Sequence, residues 1–252
     1  MSQVSTETNV DLDDQAASPQ PRGELIVKTQ ALQRLYHQAD RVIHALDGVN
    51  LEIYKGEFTA LMGTSGSGKT TLLNCIGALD QPTSGEVWVA DRALSQLNKH
   101  QRAELRRDEV GFIFQSYNLL PVLTAYENAE FVLLARGIPL AQRRDKVMEL
   151  LDAVGLGGLE NRRPTELSGG QQQRVAIARA MASEPALILA DEPTANLDSK
   201  TGADLIELMR TLNRKRRVTF LFSTHDPQVM EAARRVIRLV DGKIDHDQVK
   251  YA

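Results

Sequence analysis

The glycine-rich stretch GTSGSGKT, at residues 63–70, limits the possible folds more than any other part of the sequence. A β-branched, alternating segment precedes it and an apolar-periodic segment follows it, so the glycines join a predicted strand to a predicted helix. The backbone N–H groups of such a loop turn inward around a phosphate, and the helix N-terminus adds its positive end. Lys69 is predicted to reach the β- and γ-phosphates and the Thr70 hydroxyl to bind Mg²⁺. The stretch therefore indicates a nucleoside triphosphatase.

A second stretch, ALILADE at residues 186–192, is an apolar strand pattern that ends in two carboxylates. By itself this pair is as compatible with capping at a strand–helix junction as with chemistry. Together with a phosphate loop, it predicts that Asp191 holds Mg²⁺ through water and that Glu192 orients or deprotonates the attacking water.

Gln115 and His225 each follow an apolar strand pattern, in GFIFQ and FLFSTHD. A lone histidine is more often a structural hydrogen-bonding residue than a catalytic one. Because the carboxyl ends of parallel strands lie at one edge of a sheet, both residues are nevertheless predicted to approach the γ-phosphate. The Gln115 amide is expected to contact Mg²⁺ or water there.

Strand and helix patterns alternate along the chain, which predicts an α/β fold with a mostly parallel sheet and helices on its faces. Helices are predicted near 98–108, 125–136, 140–154 and 200–213, and Lys55–Gly56 is predicted to form a hairpin turn. The helix-rich part between about 98 and 165 is predicted to be a subdomain. Residues 1–23 are predicted to be a disordered acidic extension, 24–245 the ordered domain and 246–252 a short tail.

The net charge of −3 is confined to residues 1–23, where four acidic side chains stand against one arginine. The remainder is neutral, so it has no global basic field to attract nucleic acid. The single cysteine, Cys75, excludes an internal disulfide. No apolar run of about 18 residues predicts a membrane span, and the N-terminus lacks the pattern of a secretory signal. We expect a cytoplasmic protein.

The order of these stretches resembles that of an ABC-transporter ATP-binding subunit: GTSGSGKT, Gln115, LSGGQ at residues 167–171, LILADEP, ANLD and STHD. The resemblance covers about residues 24–245, and LSGGQ together with a phosphate loop is highly specific. RRDEVGFIFQSYNLLPVLTAYENAE and LSGGQQQRVAIARA look like the branch of macrolide-efflux and lipoprotein-release transporters. The resemblance implies a P-loop NTPase core with an antiparallel β subdomain and a helical subdomain.

In this family two ATP-binding subunits pack head to tail, and each LSGGQ segment completes the other subunit's site. The resemblance implies that the chain binds ATP and Mg²⁺, forms a homodimer with ATP, and drives a separate integral membrane permease from the inner face of the membrane. Ser168 would cap a helix and at the same time offer its hydroxyl and the neighbouring amides to the γ-phosphate. Tyr36 matches the aromatic residue that stacks on adenine, and Asp198 matches the loop that couples the two sites.

The sequence and the resemblance together predict residues for ATP binding, catalysis and metal binding. The residues predicted to bind ATP are Tyr36, Gly63, Thr64, Ser65, Gly66, Ser67, Gly68, Lys69, Thr70, Thr71, Ser168, Gly169, Gly170, Gln171 and Asp198. Those predicted to act in catalysis are Glu192, His225 and Gln115, and those predicted to bind the metal are Thr70, Gln115 and Asp191.

Several other functions share this core. DNA-repair ATPases interrupt it with long coiled coils and translation-factor ATPases carry it twice, and neither pattern is found here. Lipoprotein release and cell-division-type force transmission stay open, although SYNLLPVL stands where the lipoprotein-release pattern reads FHHLLPDF. Apolar residues near Gln115 predict either a groove for a permease helix or packing of the subdomain on the sheet. These residues are Phe114, Tyr117, Leu119, Leu120 and Leu123.

Overall fold

The computed structural model describes residues 23–38 and 41–250 of the chain. Within that part, ten strands and seven helices are joined by turns and two short 3₁₀ segments. The strands are β1 (Leu25–Gln38), β2 (Arg41–Tyr54), β3 (Phe58–Met62), β4 (Ser84–Val89), β5 (Arg92–Ala93), β6 (Val110–Ile113), β7 (Leu187–Asp191), β8 (Thr219–Thr224), β9 (Arg235–Val240) and β10 (Lys243–Val249). The helices are α1 (Lys69–Ile76), α2 (Lys99–Glu109), α3 (Ala125–Ala135), α4 (Leu140–Ala153), α5 (Gly169–Met181), α6 (Ser199–Arg216) and α7 (Pro227–Ala232).

Two domain boundaries predicted from the sequence, at residues 23 and 245, can be compared with the structure. The extension predicted for residues 1–23 lies outside the described residues except for Gly23. The last strand, β10, runs to Val249 and so continues past residue 245, where the sequence pattern predicts the tail to begin.

The larger sheet has six strands in the order β10-β9-β3-β8-β7-β6. The strands from β9 to β6 run parallel to their neighbours, and β10 is antiparallel to β9. The predicted α/β fold with a mostly parallel sheet is confirmed. Because β3, β8, β7 and β6 lie side by side, the loops that follow their carboxyl ends share one edge of the sheet.

The smaller sheet is antiparallel, in the order β2-β1-β4-β5. The predicted hairpin at Lys55–Gly56 is wrong, because β2 belongs to this sheet whereas β3 belongs to the larger one. Gly56 has a φ of 78°, which a glycine adopts without strain. Such a turn gives the same local sequence signal whether the chain folds back on itself or crosses to a second sheet.

Alternation along the central strands divides the core into two layers. In β7, Ile188 and Ala190 pack with helices α3 to α7. Leu187 and Leu189, on the opposite face, pack with α1, α2 and the smaller sheet. A strand that is buried on both faces is apolar along its whole length, as β7 is up to Asp191. The sheet is therefore fixed between two apolar layers, and only its edge is free to bind a ligand.

The stretch 98–165 contains α2, α3 and α4, at bounds close to those predicted. Helices α2 and α3 each begin with a capping box, formed by Asn98 with Gln101 and by Thr124 with Glu127. The same stretch also contains β6, which pairs with β7 in the larger sheet. The chain thus adds an edge strand to the main sheet before it enters α3. In the described part of the chain, none of the helices has the length and apolar character needed to cross a membrane.

Candidate active site

The edge formed by the carboxyl ends of the parallel strands carries a cleft of about 650 Å³. Its floor is the loop between β3 and α1, and its walls come from the segments that follow β6, β7 and β8 and from β2. The residues that line it are Ile43, Ala45, Gly63, Thr64, Ser65, Gly66, Gly68, Lys69, Thr70, Thr71, Gln115, Glu192, Ala195 and His225. Most residues predicted from the phosphate-loop pattern are therefore brought to one cleft, and Gln115, Glu192 and His225 lie in the same cleft.

Glycine is required at two positions of this loop. A Cβ at Gly63 would lie 2.3 Å from Ser67 Oγ and 2.5 Å from the Leu239 carbonyl oxygen. Gly68 has a φ of 104°, and a Cβ there would lie 2.3 Å from the Ala45 carbonyl oxygen. The loop thus packs directly on neighbouring backbone at these two positions, where a side chain would displace it.

Lys69, the first residue of α1, is buried beneath the loop. Its Nζ donates hydrogen bonds to the carbonyl oxygens of Gly63 at 2.7 Å and Thr64 at 3.2 Å. Glu192 Oε1 lies 3.9 Å from the same nitrogen. The loop therefore holds the ammonium group at the cleft through backbone contacts, where an anionic ligand can reach it.

Thr70 and Asp191 lie in contact, although 121 positions separate them in the sequence. The Thr70 hydroxyl donates to Asp191 Oδ2 at 2.9 Å, and the Ser223 hydroxyl donates to Oδ1 of the same carboxylate. This hydroxyl and carboxylate, with the Gln115 amide that lines the same cleft as Thr70, supply oxygen ligands, the type that Mg²⁺ prefers. Such a small set leaves positions for water and phosphate oxygens, so the residues fit a magnesium ion that is bound together with a nucleotide.

Glu192 follows β7 directly and has a φ of 46°, in the left-handed region. Its backbone N–H is held by the Ser223 carbonyl oxygen at 3.2 Å and hydroxyl at 3.1 Å. Its carboxylate bridges two groups: Oε1 faces Lys69, and Oε2 lies 2.9 Å from Nδ1 of His225. A non-glycine residue in this conformation is often found at functional sites, where neighbouring contacts hold it. Glu192 is thus aimed into the cleft by its backbone.

Two further predicted residues line the cleft from its rim. The imidazole of His225 is 72% exposed, and its Nδ1 lies 2.9 Å from Glu192 Oε2. Gln115 is exposed, two residues beyond the end of β6, and its carbonyl oxygen accepts a hydrogen bond from the Asn196 amide at 2.9 Å. Asn196 was not predicted to have a role, and its contact ties the loop after β6 to the loop after β7.

The LSGGQ segment lies at the start of α5 and does not line the cleft of its own chain. Ser168 is exposed and caps α5: its hydroxyl accepts from the Gln171 N–H at 3.3 Å, and the Gln171 side chain accepts from the Ser168 N–H at 2.9 Å. A Cβ at Gly170 would lie 2.5 Å from Thr201 Cγ2, so α5 begins in close contact with α6. Asp198 caps α6, and hydrogen bonds from Thr201 lower the pKa of its carboxyl. The structure therefore places Ser168–Gln171 and Asp198 apart from the other predicted ATP ligands.

Tyr36 also lies outside the lining of the cleft, on β1. It is paired with Ile43 of β2, which does line the cleft. Side chains of paired residues lie on the same face of a sheet, so Tyr36 is next to the cleft rather than in it. Ile43, Ala45 and Ser223 were missed by sequence reasoning, since β-strand residues with apolar or small side chains give no local signal of a ligand site.

The chain is similar to several known proteins. The family described as ABC transporter matches residues 46–195. An ABC transporter ATP-binding protein of Thermotoga maritima is 45% identical over 84% of this chain and 90% of its own length. The ABC transporter ATP-binding protein MJ0796 of Methanocaldococcus jannaschii is 43% identical over 88% of this chain and 97% of its own length.

A solved structure of the ATP-binding cassette MJ0796, a dimer in a post-hydrolysis state with ADP and Pi, is 42% identical. It superposes with a TM-score of 0.83 and covers 90% of this chain and all of the other. The macrolide export ATP-binding/permease protein MacB of Marinobacter nauticus is 45% identical over 91% of this chain. The chain spans 35% of the length of that MacB.

Proposed function

The chain belongs to the ABC transporter family and is an ATP-binding, ATP-hydrolysing protein of that family; on this premise we propose that it acts as a homodimer and drives a separate membrane permease. One observation carries the proposal. Lys69, Thr70 and Glu192 line one cleft, and Asp191 contacts Thr70 there. Ser168, in contrast, is exposed at the start of α5 and does not line that cleft. A second copy of the chain can bring its Ser168 to the cleft of the first, and the reverse contact forms by symmetry.

The solved relatives support this arrangement. Two solved structures of MJ0796 are dimers, one of them with ADP and Pi, and each match covers 90% of this chain. We infer that this chain forms the same kind of ATP-dependent dimer. The capped start of α5 then faces a γ-phosphate with a neutral hydroxyl and glycine amides, so the contact weakens once that phosphate leaves.

We assign the steps of hydrolysis to groups already in the cleft. Lys69 exchanges its carbonyl partners for phosphate oxygens, because the one carboxylate within ion-pair distance of Nζ among the described residues is Glu192, at 3.9 Å. Glu192 accepts a proton from the attacking water, and His225 holds the carboxylate through Nδ1 at 2.9 Å. Gln115 would contact the water or the metal. Thr70, Asp191 and Gln115 are the residues that would hold Mg²⁺, which would supply positive charge to the phosphates.

The permease is the second partner that we propose. Leu120, Val122, Phe131 and Leu134 are exposed apolar side chains in and around α3, and Val122 is 72% exposed. Next to them, a groove of about 230 Å³ is lined by Phe112, Phe114 and Val132. Exposed apolar side chains beside a groove are suited to an apolar helix face. Of the apolar residues that the sequence singled out, Leu119 packs against the core, whereas Leu120 is exposed.

The similarity to MacB, an export protein with its own permease region, favours export as the coupled process. A permease partner would place this chain on the inner face of the membrane. Val122→Asp should then weaken co-purification with the permease, while Leu140→Asp, a matched change at an exposed residue of α4, should leave it intact. Equal retention of the permease by both variants would refute the docking surface.

The homodimer is tested by mixing two inactive variants. Lys69→Ala removes the phosphate-binding cation from every site, and Ser168→Arg blocks every contact made by α5. Each homodimer should be inactive, but a mixed dimer joins the intact phosphate loop of one variant to the intact Ser168 of the other. ATPase activity should therefore reappear on mixing, measured as phosphate release. If the mixture stays as inactive as its parts, the two halves of the site do not come from different chains.

A further inference from the structure

Tyr36 is held by a cluster that the sequence did not indicate. Its hydroxyl donates a hydrogen bond to Asp80 Oδ2 at 2.7 Å. Two nitrogens of Arg34 contact the same carboxylate: Nε lies 2.8 Å from Oδ2, and Nη2 lies 2.8 Å from Oδ1. The carbon of the Arg34 guanidinium also lies over the Tyr36 ring, 4.5 Å from its centre. One carboxylate and one cation thus fix both the hydroxyl and one face of the ring.

These contacts are partly shielded from solvent. The side chains of Arg34 and Asp80 are 24% and 23% exposed, less than those of most ion pairs on this surface. Burial disfavours the ionised Asp80, but hydrogen bonds from Tyr36 and Arg34 outweigh it and lower the pKa of the carboxyl. Burial and Asp80 together raise the pKa of Tyr36. The carboxylate therefore stays charged and the phenol stays a donor, so the contacts persist around neutral pH.

The cluster joins the two structural parts that border the cleft. Arg34 and Tyr36 belong to β1 of the antiparallel sheet, whereas Asp80 follows α1, the helix that begins with Lys69. The Thr71 side chain, which lines the cleft, interacts with the Tyr36 hydroxyl. Asp80 is therefore connected at one end to the aromatic ring and at the other to the helix that carries the phosphate-binding residues.

We propose that Arg34 and Asp80 are positioning residues that hold the Tyr36 ring at a fixed place beside the phosphate loop, with one face covered by Arg34 and the other offered to a purine base. The proposal rests on the ATP site proposed above and adds to it the means by which the base is held. A fixed ring loses little freedom when a base stacks on it, so the stacking energy is kept as affinity. The cation on the far face keeps the ring from turning and covers it from water.

The alternative is that the cluster only ties β1 to the end of α1. The two roles differ in what they predict for a ligand without a base. If the cluster positions the aromatic ring, its loss weakens binding of ATP but not of inorganic tripolyphosphate, which contacts only the phosphate loop. If the cluster instead shapes the phosphate loop, its loss weakens binding of both ligands equally.

The experiment compares binding of ATP and of inorganic tripolyphosphate to the full chain by calorimetry. The variants are Tyr36→Ala, Arg34→Met and Asp80→Asn, of which the last two keep the size of the side chain. The control is Lys28→Met, which removes a similar cation from the same strand: Lys28 Nζ lies 5.3 Å from the centre of the Trp88 ring and does not line the cleft. A thermal melt of each variant identifies any that is unfolded.

Tyr36→Ala should raise the Kd for ATP by about 5- to 100-fold, the range expected for one base stacked on one aromatic ring. Arg34→Met and Asp80→Asn should each raise it by a part of that factor, with the Kd for tripolyphosphate unchanged. Lys28→Met should change neither. Normal ATP binding by both Arg34→Met and Asp80→Asn would overturn the proposed positioning role of Arg34 and Asp80, without affecting the proposed ATP site. An equal loss of affinity for ATP and for tripolyphosphate would do the same. Failure of the wild-type chain to bind ATP would instead overturn the ATP site itself.

Discussion

The phosphate loop and the LSGGQ segment are both glycine-rich junctions that lead into a helix, yet the two helix starts differ in their hydrogen bonds. Helix α1 begins after Gly68 without any side-chain cap, so its first N–H groups are free for a ligand. Helix α5 begins after Ser168, whose capping box with Gln171 already satisfies one of these N–H groups. An uncapped start binds an anion by itself, whereas a capped start adds a weaker contact to an anion that is already held. This difference is consistent with the proposed homodimer, in which the α5 start of a second chain completes the ATP site of the first.

The largest effect should follow from removing the cation of the first junction. Lys69 is buried at the cleft and held by two carbonyl oxygens of the loop, so Lys69→Ala removes the positive charge that the phosphates require. We expect ATP binding to fall below detection in calorimetry. A matched change at an exposed lysine, Lys99→Ala at the start of α2, should leave binding unchanged. Normal ATP affinity in Lys69→Ala would contradict the assignment of this loop.

The second prediction separates binding from hydrolysis. Glu192→Gln keeps the size and hydrogen-bonding reach of the side chain but removes its basicity, so hydrolysis should fall by about 10²–10⁴ while ATP still binds. Removal of a negative charge near the γ-phosphate also lowers repulsion in the dimer. Gel filtration with ATP and Mg²⁺ should then show a dimer.

The same background tests the second junction. Ser168→Arg combined with Glu192→Gln should bind ATP but remain a monomer, because an arginine at the α5 cap cannot fit against the second chain. A dimer that still forms in the double variant would mean that α5 does not contact the nucleotide across the interface.

The phosphate loop and the Ser168 cap of α5 could be predicted from the sequence, whereas contacts between distant segments could not. The loop GTSGSGKT contains its own chemistry, and parallel strands bring Asp191, Glu192 and His225 to its edge. Helix bounds were also predictable, because the apolar period and the capping residues are local. The hairpin at Lys55–Gly56 failed because a turn does not specify which sheet the next strand joins. The contact of Asp80 with Tyr36, 44 residues apart, is equally invisible to a local pattern.

A third prediction concerns the orientation of Glu192. His225→Ala removes the 2.9 Å contact between Nδ1 and Glu192 Oε2 but leaves the backbone of Glu192 held by Ser223. The loss in kcat should therefore be smaller than the loss in Glu192→Gln, with ATP affinity unchanged. Steady-state kinetics on both variants give the comparison. A loss in His225→Ala as large as that in Glu192→Gln would show that the imidazole does more than hold the carboxylate.

The smallest effect should come from the side chain that connects α5 to the walls of the cleft. Gln173 is fully buried in α5, and its amide donates to the carbonyl oxygens of Pro193 at 2.8 Å and of Phe114 at 3.5 Å. These carbonyls lie next to Glu192 and Gln115, so α5 is tied to both walls of the cleft. The Gln173 Oε1 atom is buried and has no hydrogen-bond partner in the part of the chain that the structure describes.

Gln173→Met keeps the volume of the side chain but removes the donor from the buried Pro193 carbonyl, at a cost of about 1–3 kcal/mol in the free energy of unfolding. The Phe114 carbonyl still accepts a hydrogen bond from the Tyr117 N–H at 3.1 Å. Loss of the unpaired Oε1 offsets part of that cost. Gln172→Met is the matched control, because Gln172 is only half-buried and donates to Leu167 within its own segment. Urea unfolding of both variants should show the larger loss for Gln173→Met, together with a lower kcat at unchanged ATP affinity. If both variants lose the same stability and keep the same kcat, the buried amide does not connect α5 to the catalytic edge.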